Sequence, residues 1–286
     1  MSENTNHSAA GAMPPERYVT ALEMTNAITE KAIRQAIAKL DLFAEARVLD
    51  VPCGIGNHSV WLAEAQEGVK VLGLDIAEAQ LTYARKLASP KAPAGNVIFE
   101  QGDITRLTQD DNTFDFVWCC DGLWLGSPET GCIVDEPYGI LDEFKRVLKP
   151  GGKIALLFWT MHRLLPGYPL LETALNATLA ANRPMTWDSD PERHTMRALA
   201  WLEQADCRNG KAQSFVADVQ GPFSEKEEAG MLAAMRMLWG RAQGEVTPDV
   251  WQQYERLTDP DSDTFILRQR GYAGYVIYTM YTGYVP

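Results

Sequence analysis

The sequence predicts an α/β protein in which helices cover both sides of a mostly parallel sheet. Short runs rich in Val, Ile and Leu alternate with stretches of helical periodicity between residues 45 and 160. These runs are apolar at consecutive positions, which is typical of strands buried on both faces. Apolar residues make up 46% of the 286 residues, so the chain can bury a large core.

The first part of the chain contains five predicted strands, at 47–51, 69–75, 96–101, 114–120 and 153–159. One or two helices precede them, because apolar residues recur at helical spacing between Arg17 and Phe43. Further helices are predicted between the strands. The last of these carries an apolar stripe and ends at the turn Lys149-Pro-Gly-Gly152.

Beyond residue 160 the regular alternation stops. A mainly helical stretch runs to about residue 206, and two more strands are predicted at 212–219 and 272–284. The helical segment between these two strands is predicted to be a cap inserted before the last strand. The predicted division is a disordered tail (1–16), N-terminal helices (17–44), a core (45–223 and 271–286) and the helical cap (224–270).

Composition excludes several classes of function. The chain has 26 Lys and Arg against 38 Asp and Glu, and this net charge of −12 argues against a nucleic-acid partner. No apolar run is long enough for membrane insertion, and the start shows no secretory signal. Five cysteines without a C-x-x-C pair predict neither a disulfide framework nor a metal site. A cytoplasmic location is therefore predicted.

A glycine-containing turn follows the first predicted strand. Gly54 and Gly56 would allow the backbone to approach a ligand closely, and the helix after them would offer free N–H groups. Such a turn also occurs in proteins that bind nicotinamide or flavin dinucleotides. The turn therefore predicts a nucleotide-like ligand without identifying it.

Three carboxylates narrow the choice of ligand. Asp50 precedes the glycines, where it would repel a pyrophosphate but could accept hydrogen bonds from an ammonium group. Asp75 ends the second strand, where a carboxylate can accept both ribose hydroxyls. Asp103 follows the third strand and could accept from the amine of adenine. Each could also cap a helix, but together they suit a ligand that joins an amino acid, a ribose and an adenine.

The chain resembles the class I S-adenosylmethionine-dependent methyltransferases, and among them the small-molecule group that includes the ubiquinone/menaquinone-biosynthesis enzymes. The resemblance covers about residues 17–160 and lies in motifs of matching order and spacing: Val48–Gly56, Leu74–Ile76, Gly102–Ile104, Phe114–Val117 and Leu148–Gly152. It implies a Rossmann-like, doubly wound fold. It also implies S-adenosylmethionine as the methyl donor and S-adenosylhomocysteine as the product.

The resemblance also implies which residues bind the cofactor. Asp50, Gly54 and Gly56 would hold the methionine part, Asp75 the ribose, and Ile76 would pack on the adenine. The remaining expected cofactor-binding residues are Asp103 and Ile104 at the adenine, Cys119 and Cys120 near the sulfonium, and Cys53, His58, Gln80 and Tyr18 around them. Tyr18 could close over the cofactor as a lid. The chain departs from the family at Pro52, where glycine is usual, and proline donates no N–H.

Methyl transfer from a sulfonium needs alignment above all, and a general base only if the acceptor carries a proton. Asp121 and His162 follow the fourth and fifth strands, where ligands of such sheets bind, so they are the candidate catalytic residues. A structural role is the alternative for each. No catalytic triad is visible in the sequence.

The predicted cap is rich in large apolar side chains, among them Met231, Met235, Trp239 and Trp251. These could simply pack against the core. They could also form a wall over the acceptor pocket, which would then take a small, partly apolar or aromatic molecule. A homodimer is possible. The sequence leaves the acceptor atom open among O, N, S and C.

Two other functions stay open. A nicotinamide-dependent oxidoreductase would use the same kind of turn, but Asp50 precedes the glycines and Ser59 replaces the third glycine of G-x-G-x-x-G. A non-catalytic module could have kept only the cofactor pocket. Methylation of nucleic acid is disfavoured because Cys120–Trp124 offers no platform for a flipped base. The cysteines show no pattern suited to arsenite methylation.

Overall fold

The structure is a computed structural model that describes residues 15–91, 95–126, 132 and 134–286; of residues 15–18 and 89–91 it describes only the backbone. The predicted tail 1–16 lies outside these residues except for its last two, which belong to the first helix. The first helix is thus a single one, and it begins two residues before the predicted boundary.

The described helices and strands follow one another along the chain in this order: α1 (Pro15–Ala38), β1 (Arg47–Asp50), α2 (Asn57–Glu64), β2 (Lys70–Asp75), α3 (Glu78–Lys91), β3 (Val97–Gln101), β4 (Phe114–Cys120), α4 (Tyr138–Val147), β5 (Leu148–Arg163), α5 (Pro169–Asn176), α6 (Leu179–Asn182), α7 (Ala198–Gln204), β6 (Arg208–Gln220), α8 (Glu225–Trp239), α9 (Pro248–Thr258) and β7 (Ala273–Tyr284).

The strands form one seven-stranded sheet in the order β3-β2-β1-β4-β5-β7-β6. The pairs from β3 to β5 are parallel, whereas β7 runs antiparallel to both β5 and β6. The carboxyl ends of the first four strands therefore meet at one edge of the sheet. We call this edge the carboxyl rim; it comprises the last residues of β1 to β4, the residues that follow them and the start of α2.

Helices cover both faces of the sheet, as the apolar strands predicted. On one face α1, α2 and α8 pack over side chains such as Trp118 and Leu157. On the other face α4 and α7 cover neighbouring side chains that include Leu156 and Phe158. Each face thus buries alternate residues of the same strands.

Two strands are longer than the sequence predicted. β5 extends to Arg163 and β6 begins at Arg208, because both pair with β7 over almost its whole length. The part of β5 after Phe158 extends beyond the end of β4. We call this antiparallel part, residues 159–163 of β5 with 275–278 of β7, the β5–β7 extension. The predicted turn at 149–152 is also different, since α4 ends at Val147 and β5 begins at once.

The helix α1 has two distinct halves. Its second half is buried in the main core through Ala32, Ile33 and Ala36. Its first half is only partly buried and reaches the carboxyl rim, where Leu22 lies next to Gly54. The segment 224–270 contains α8 and α9, and α8 packs along α1. Among the described residues, none of the helices is apolar over a stretch that would cross a bilayer.

Candidate functional site

The loop between β1 and α2 forms the centre of the carboxyl rim. Gly54 and Gly56 both have positive φ angles, of 52° and 81°. A side chain at Gly56 would clash with Phe99, whose Cζ atom lies 2.6 Å from the position of a Cβ. Among the described residues, a Cβ at Gly54 would meet Leu22 alone, at 3.9 Å. Gly56 is therefore needed for packing, whereas Gly54 leaves the backbone open to a ligand.

Asp50 is the most deeply buried carboxylate of the rim. Its residue is 0% exposed, and its Oδ2 atom accepts a hydrogen bond of 2.5 Å from the Ser59 hydroxyl. Its Oδ1 atom is buried and accepts no hydrogen bond within the described structure. Burial, with a smaller effect of the nearby Asp75 charge, raises the pKa of Asp50 to about 7. An incoming cationic donor would satisfy the open oxygen.

Asp75 lies at the end of β2 and fixes the glycine loop. Its Oδ2 atom accepts the N–H of Gly54 at 2.8 Å, and its Oδ1 atom accepts the N–H of Ala77 at 2.9 Å. Burial raises the pKa of this carboxyl, and the backbone donors lower it. The three backbone donors, Gly54, Ala77 and Ile76, leave at least one of the four lone pairs of the carboxylate unused. Asp75 thus joins β2 to the loop and can still accept hydroxyl groups.

The expected adenine side is more open. Ile76 is 57% exposed, although it directly follows a buried strand. Asp103 is exposed as well, and its Oδ1 atom accepts both the N–H and the hydroxyl of Thr105, at 2.8 and 2.7 Å. Ile104 and Gln80 are buried behind them. An exposed isoleucine beside an exposed carboxylate could contact one flat, amine-bearing ring.

His58 lies at the start of α2, below the loop. Its ring packs against Trp61 and Trp118, and its Nδ1 atom accepts the indole N–H of Trp118 at 3.5 Å. The other ring nitrogen, Nε2, is buried without a hydrogen-bond partner in the described structure. Burial lowers the pKa of His58 to about 4, so the ring is neutral at neutral pH. The side-chain oxygen of Asn57, Oδ1, is also buried and has no hydrogen-bond partner in the described structure.

Pro52, the departure from the family pattern, packs directly on the loop after β4. A Cβ at Gly122 would lie 2.0 Å from the Cδ atom of Pro52. The proline ring therefore occupies the space that a side chain at position 122 would need. Val51 and Cys53, on either side of the proline, still donate their N–H groups to Trp118 and Leu74, at 2.9 and 2.8 Å.

The cysteines near the rim are buried thiols. Burial is the main reason that the pKa values of Cys53, Cys119 and Cys120 are raised well above the ordinary value. Cys119 and Cys120 end β4 and point to opposite faces of the sheet. They are therefore poor nucleophiles at neutral pH, and a cofactor contact through their backbone groups stays a prediction.

Asp121 follows β4 in a left-handed backbone conformation with a φ of 49°. Its Oδ1 atom accepts the N–H of Trp159 at 2.9 Å, and its Oδ2 atom accepts the hydroxyl of Tyr278 at 2.9 Å. Burial raises its pKa to about 6, although these donors oppose the shift. Asp121 thus joins β4 to β5 and β7. Its role as a general base stays a prediction.

His162 lies in the β5–β7 extension, and both of its ring nitrogens are engaged. Its Nδ1 atom accepts the indole N–H of Trp159 at 3.2 Å, and its Nε2 atom lies 3.0 Å from the side-chain oxygen of Asn176. Burial is the main reason that its pKa falls to about 4. The proposed base function stays a prediction here too, because a proton acceptor needs a free lone pair.

Several partners in this region were missed from the sequence. Tyr278 and Asn176 lie 157 and 14 residues from the side chains that they bind, Asp121 and His162. The tyrosine-rich last strand was the only available signal for Tyr278. The side chain of Tyr18 lies outside the described part of the chain. The first half of α1 nevertheless covers the loop, with Leu22 beside Gly54 and Glu23 bonded to Tyr83 of α3.

Two surface concavities lie away from the rim. The larger, of about 600 Å³, lies next to α4 and is lined by Thr105–Asp111, Glu143 and Arg146. Arg146 already donates to Glu143, Asp111 and two backbone carbonyls there. The smaller one lies near Leu148 and Val285. Neither concavity contains the residues predicted to bind a ligand.

Part of the chain, including the carboxyl rim, is similar in sequence to known proteins. Residues 48–152 match the model of a methyltransferase domain. Methyltransferase GfsG of Streptomyces halstedii is 32% identical over 127 residues, which cover 44% of this chain and 42% of that protein. The demethylmenaquinone methyltransferase of Shouchella clausii is 36% identical over 126 residues, which cover 43% of this chain and 49% of that protein. The chain thus aligns with less than half of each relative.

Solved structures agree on the fold. A SAM-dependent methyltransferase from Aquifex aeolicus has a TM-score of 0.50 and 20% identity, covering 71% of this chain and 93% of that one. The YcgJ protein of Bacillus subtilis has a TM-score of 0.52 and 18% identity, and the match covers 90% of this chain and 98% of that one. The cyclase SpnF has a TM-score of 0.54 and 17% identity, and the match covers 95% of this chain and 94% of that one. A cyclase among the neighbours shows that this fold does not determine the reaction.

The family resemblance predicted from the motifs is therefore confirmed for residues 48–152, which match a methyltransferase domain. This segment contains β1 to β4 with the whole carboxyl rim. The β5–β7 extension, α1 and the segment 224–270 lie outside it.

Proposed function

We propose that this protein transfers a methyl group from S-adenosylmethionine to a small-molecule acceptor by in-line displacement. The observation that carries the proposal is the hydrogen bond between the Gly54 N–H and Asp75 Oδ2. It holds the open glycine loop between two carboxylates, Asp50 and Asp75, inside a segment that matches a methyltransferase domain. The names of two relatives, from Shouchella clausii and Triticum aestivum, give small-molecule acceptors.

The residues at the rim fit the cofactor. The open Oδ1 atom of Asp50 suits the ammonium of the methionine part, because a buried carboxylate oxygen without a donor is costly. Gly54 has no side chain, so its backbone could contact the cofactor beside Leu22. Asp75 would accept the ribose hydroxyls, and Ile76 with Asp103 would flank the adenine. The other expected residues surround these groups.

S-adenosylmethionine supplies, when bound, a methyl group that the positive charge on sulfur already activates. The work left to this chain is orientation, which can contribute about 7–11 kcal/mol toward the barrier. Asp75 fixes the loop through Gly54, and Asp121 fixes the strand ends of β4, β5 and β7. Both carboxylates thus hold rigid elements on the two sides of the reacting atoms.

Proton transfer is a smaller part of the proposal. Asp121 accepts two strong donors, and both nitrogens of His162 are engaged. An acceptor that loses its proton to water before or after transfer would need neither side chain as a base. We therefore assign the rate mainly to alignment.

The segment 224–270 is proposed to cap the acceptor side of the core formed by 45–223 and 271–286. Met231, Met235 and Trp239 of α8 are buried, and they belong to the same core as α1 and the sheet. The cap would thus be a firmly packed wall. A small, partly apolar or aromatic acceptor, a cytoplasmic location and a homodimer stay predictions.

The decisive experiment is calorimetry with S-adenosylhomocysteine and with NAD, followed by turnover with S-adenosylmethionine. Saturable binding of S-adenosylhomocysteine, weakened in Asp50→Ala, supports the proposal. Binding of NAD instead would favour the oxidoreductase. Binding of S-adenosylhomocysteine with no turnover on a broad acceptor panel would favour a non-catalytic module.

A further inference from the structure

Four side chains in and near the β5–β7 extension form one hydrogen-bonded row. The indole N–H of Trp159 donates to His162 Nδ1 at 3.2 Å, and His162 Nε2 lies 3.0 Å from the side-chain oxygen of Asn176. The same oxygen accepts the indole N–H of Trp239 at 2.8 Å. The row, which we call the Trp159 relay, thus connects β5 to α5 and α8.

The relay has only one consistent arrangement of protons. An indole N–H can only donate, so His162 Nδ1 must be the acceptor and Nε2 must carry the hydrogen. The oxygen of Asn176 then accepts from both His162 and Trp239. Every polar atom in the row is satisfied only while the imidazole is neutral. The relay is therefore a device that fixes the orientation of Trp159.

Trp159 connects the Trp159 relay to the carboxyl rim. Its backbone N–H donates to Asp121, which directly follows β4 at the rim. Its ring lies 6.0 Å from that of Tyr278 and is only partly buried, unlike the ring of Trp239 at the other end. Trp159 is thus partly exposed and lies beside the end of β4, which Asp121 follows.

We propose that Trp159 is the flat surface on which the acceptor stacks, that the acceptor is an uncharged aromatic or conjugated molecule, and that His162 and Asn176 are positioning residues that fix the indole. The proposal rests on the function proposed above and names its substrate class. The groups bonded in the relay are neutral, and aromatic rings stack best when their planes are fixed in advance.

The charges around the relay agree with an uncharged acceptor. Arg163, on the same strand, is the charged group that acts on His162, and it lies 3.7 Å from Glu172 of α5. The groups that contact His162 from α5 and α8, Asn176 and Trp239, are uncharged, and its partner on β7 is Val276. A charged acceptor would find no free counter-ion among these residues.

The first test compares two probes of similar size. We would measure binding of 2-naphthol, which is flat, and of decahydro-2-naphthol, which is not, by calorimetry on the full chain with S-adenosylhomocysteine present. We expect the wild type to prefer 2-naphthol by about tenfold, and Trp159→Leu to lose this preference. Trp187→Leu is the control, since Trp187 is 86% exposed and outside the relay. No preference in the wild type, or an unchanged one in Trp159→Leu, overturns the proposal.

The second test addresses the positioning residues. Asn176→Asp keeps an oxygen acceptor but places a negative charge beside His162, which raises the pKa of the imidazole from about 4 toward neutrality. Once protonated, Nδ1 can no longer accept from Trp159. We expect the affinity of Asn176→Asp for 2-naphthol to fall severalfold between pH 8 and pH 5.5, while that of the wild type stays constant.

Controls separate this result from general damage. The affinity for S-adenosylhomocysteine should not change in Asn176→Asp, and Asn209→Asp, at an exposed position, should behave as the wild type. Equal pH profiles for a folded Asn176→Asp and the wild type would refute the positioning role. If S-adenosylhomocysteine fails to bind the wild type, the proposed function fails, whereas binding of S-adenosylhomocysteine without a preference for the flat probe overturns only the inference about Trp159.

Discussion

The carboxyl rim and the β5–β7 extension use buried polar groups in opposite ways. At the rim, Asp50 Oδ1, Asn57 Oδ1 and His58 Nε2 are buried without partners in the described structure. In the extension, both ring nitrogens of His162 are engaged with neighbouring side chains. Asp121, the rim residue bonded to the extension, accepts hydrogen bonds from Trp159 and Tyr278 at both carboxylate oxygens. The two regions lie on either side of the expected reaction.

The difference indicates that the carboxyl rim, rather than the extension, is suited to a polar ligand. An unpaired buried group costs about 1–3 kcal/mol, so a rim with three of them gains from a ligand that brings donors and acceptors. The extension has no such deficit, and a polar ligand would have to break existing hydrogen bonds. The rim is thus suited to a charged cofactor and the extension to an apolar acceptor.

The largest expected effect concerns the buried charge of the rim. Asp50 has a pKa of about 7 against 3.8 for an unperturbed carboxyl, so the folded protein retains a proton that the unfolded chain releases between these values. Stability from this group is complete below pH 3.8 and is lost as the pH rises through 7. Asp50→Asn removes this loss. We expect its free energy of unfolding, relative to the wild type, to rise by up to about 4 kcal/mol between pH 3.5 and pH 8.

Urea unfolding at a series of pH values would measure this change. His58 and His162, whose pKa values are lowered, have the opposite pH dependence, but they are present in both proteins and cancel in the difference. Asp103→Asn, at an exposed carboxylate, serves as the control. A constant difference between Asp50→Asn and the wild type across this range would show that the carboxylate is not buried as described.

The second prediction breaks the link between β2 and the glycine loop. Asp75→Ala removes the acceptor of the Gly54 and Ala77 N–H groups and the expected acceptor of the ribose. We expect the affinity for S-adenosylhomocysteine to fall by at least about tenfold, since hydrogen bonds to a charged group contribute about 1.5–3 kcal/mol. Affinity for 2-naphthol should change far less. Calorimetry checks both, and equal losses would contradict the separation of the two regions.

The third prediction concerns the contact between Pro52 and Gly122. Gly122→Ala places a methyl group 2.0 Å from the proline ring, so we expect a loss of about 1–3 kcal/mol in stability and a lower Tm. Gly244→Ala is the matched control, because no atom of the described residues lies within 4 Å of its Cβ position. The double variant Pro52→Gly/Gly122→Ala should recover part of the loss. Additive effects of the two changes would disprove the direct contact.

The smallest effect is expected at the edge of the rim. Asp103→Asn keeps the Oδ1 atom that accepts from Thr105, and the residue is exposed. Surface substitutions of this kind change stability by no more than about 0.5 kcal/mol. We expect a reduction in S-adenosylhomocysteine affinity well below that of Asp75→Ala. A larger loss in Asp103→Asn, measured in the same titration, would place the main ribose or adenine contact there.

The rim could be predicted from the sequence because its residues follow strands whose positions are clear from local patterns. Asp50 and Asp75 end β1 and β2, and parallel neighbours bring their ends together. The extension could not be predicted in this way. Its hydrogen bonds join residues far apart in sequence, such as Asp121 with Tyr278, and depend on how far β7 pairs along β5. Both candidate base residues thus acquired partners that no local pattern shows.

The position of β7 has a consequence for biosynthesis. It is the last of the described strands to leave the ribosome, yet it lies between β5 and β6 in the sheet. Until it emerges, the nascent chain presents the unpaired edges of β5 and β6, which are prone to aggregate. Tyr278 arrives only with this strand, so its hydrogen bond to Asp121 forms only after β4, β5 and β6 have been synthesised.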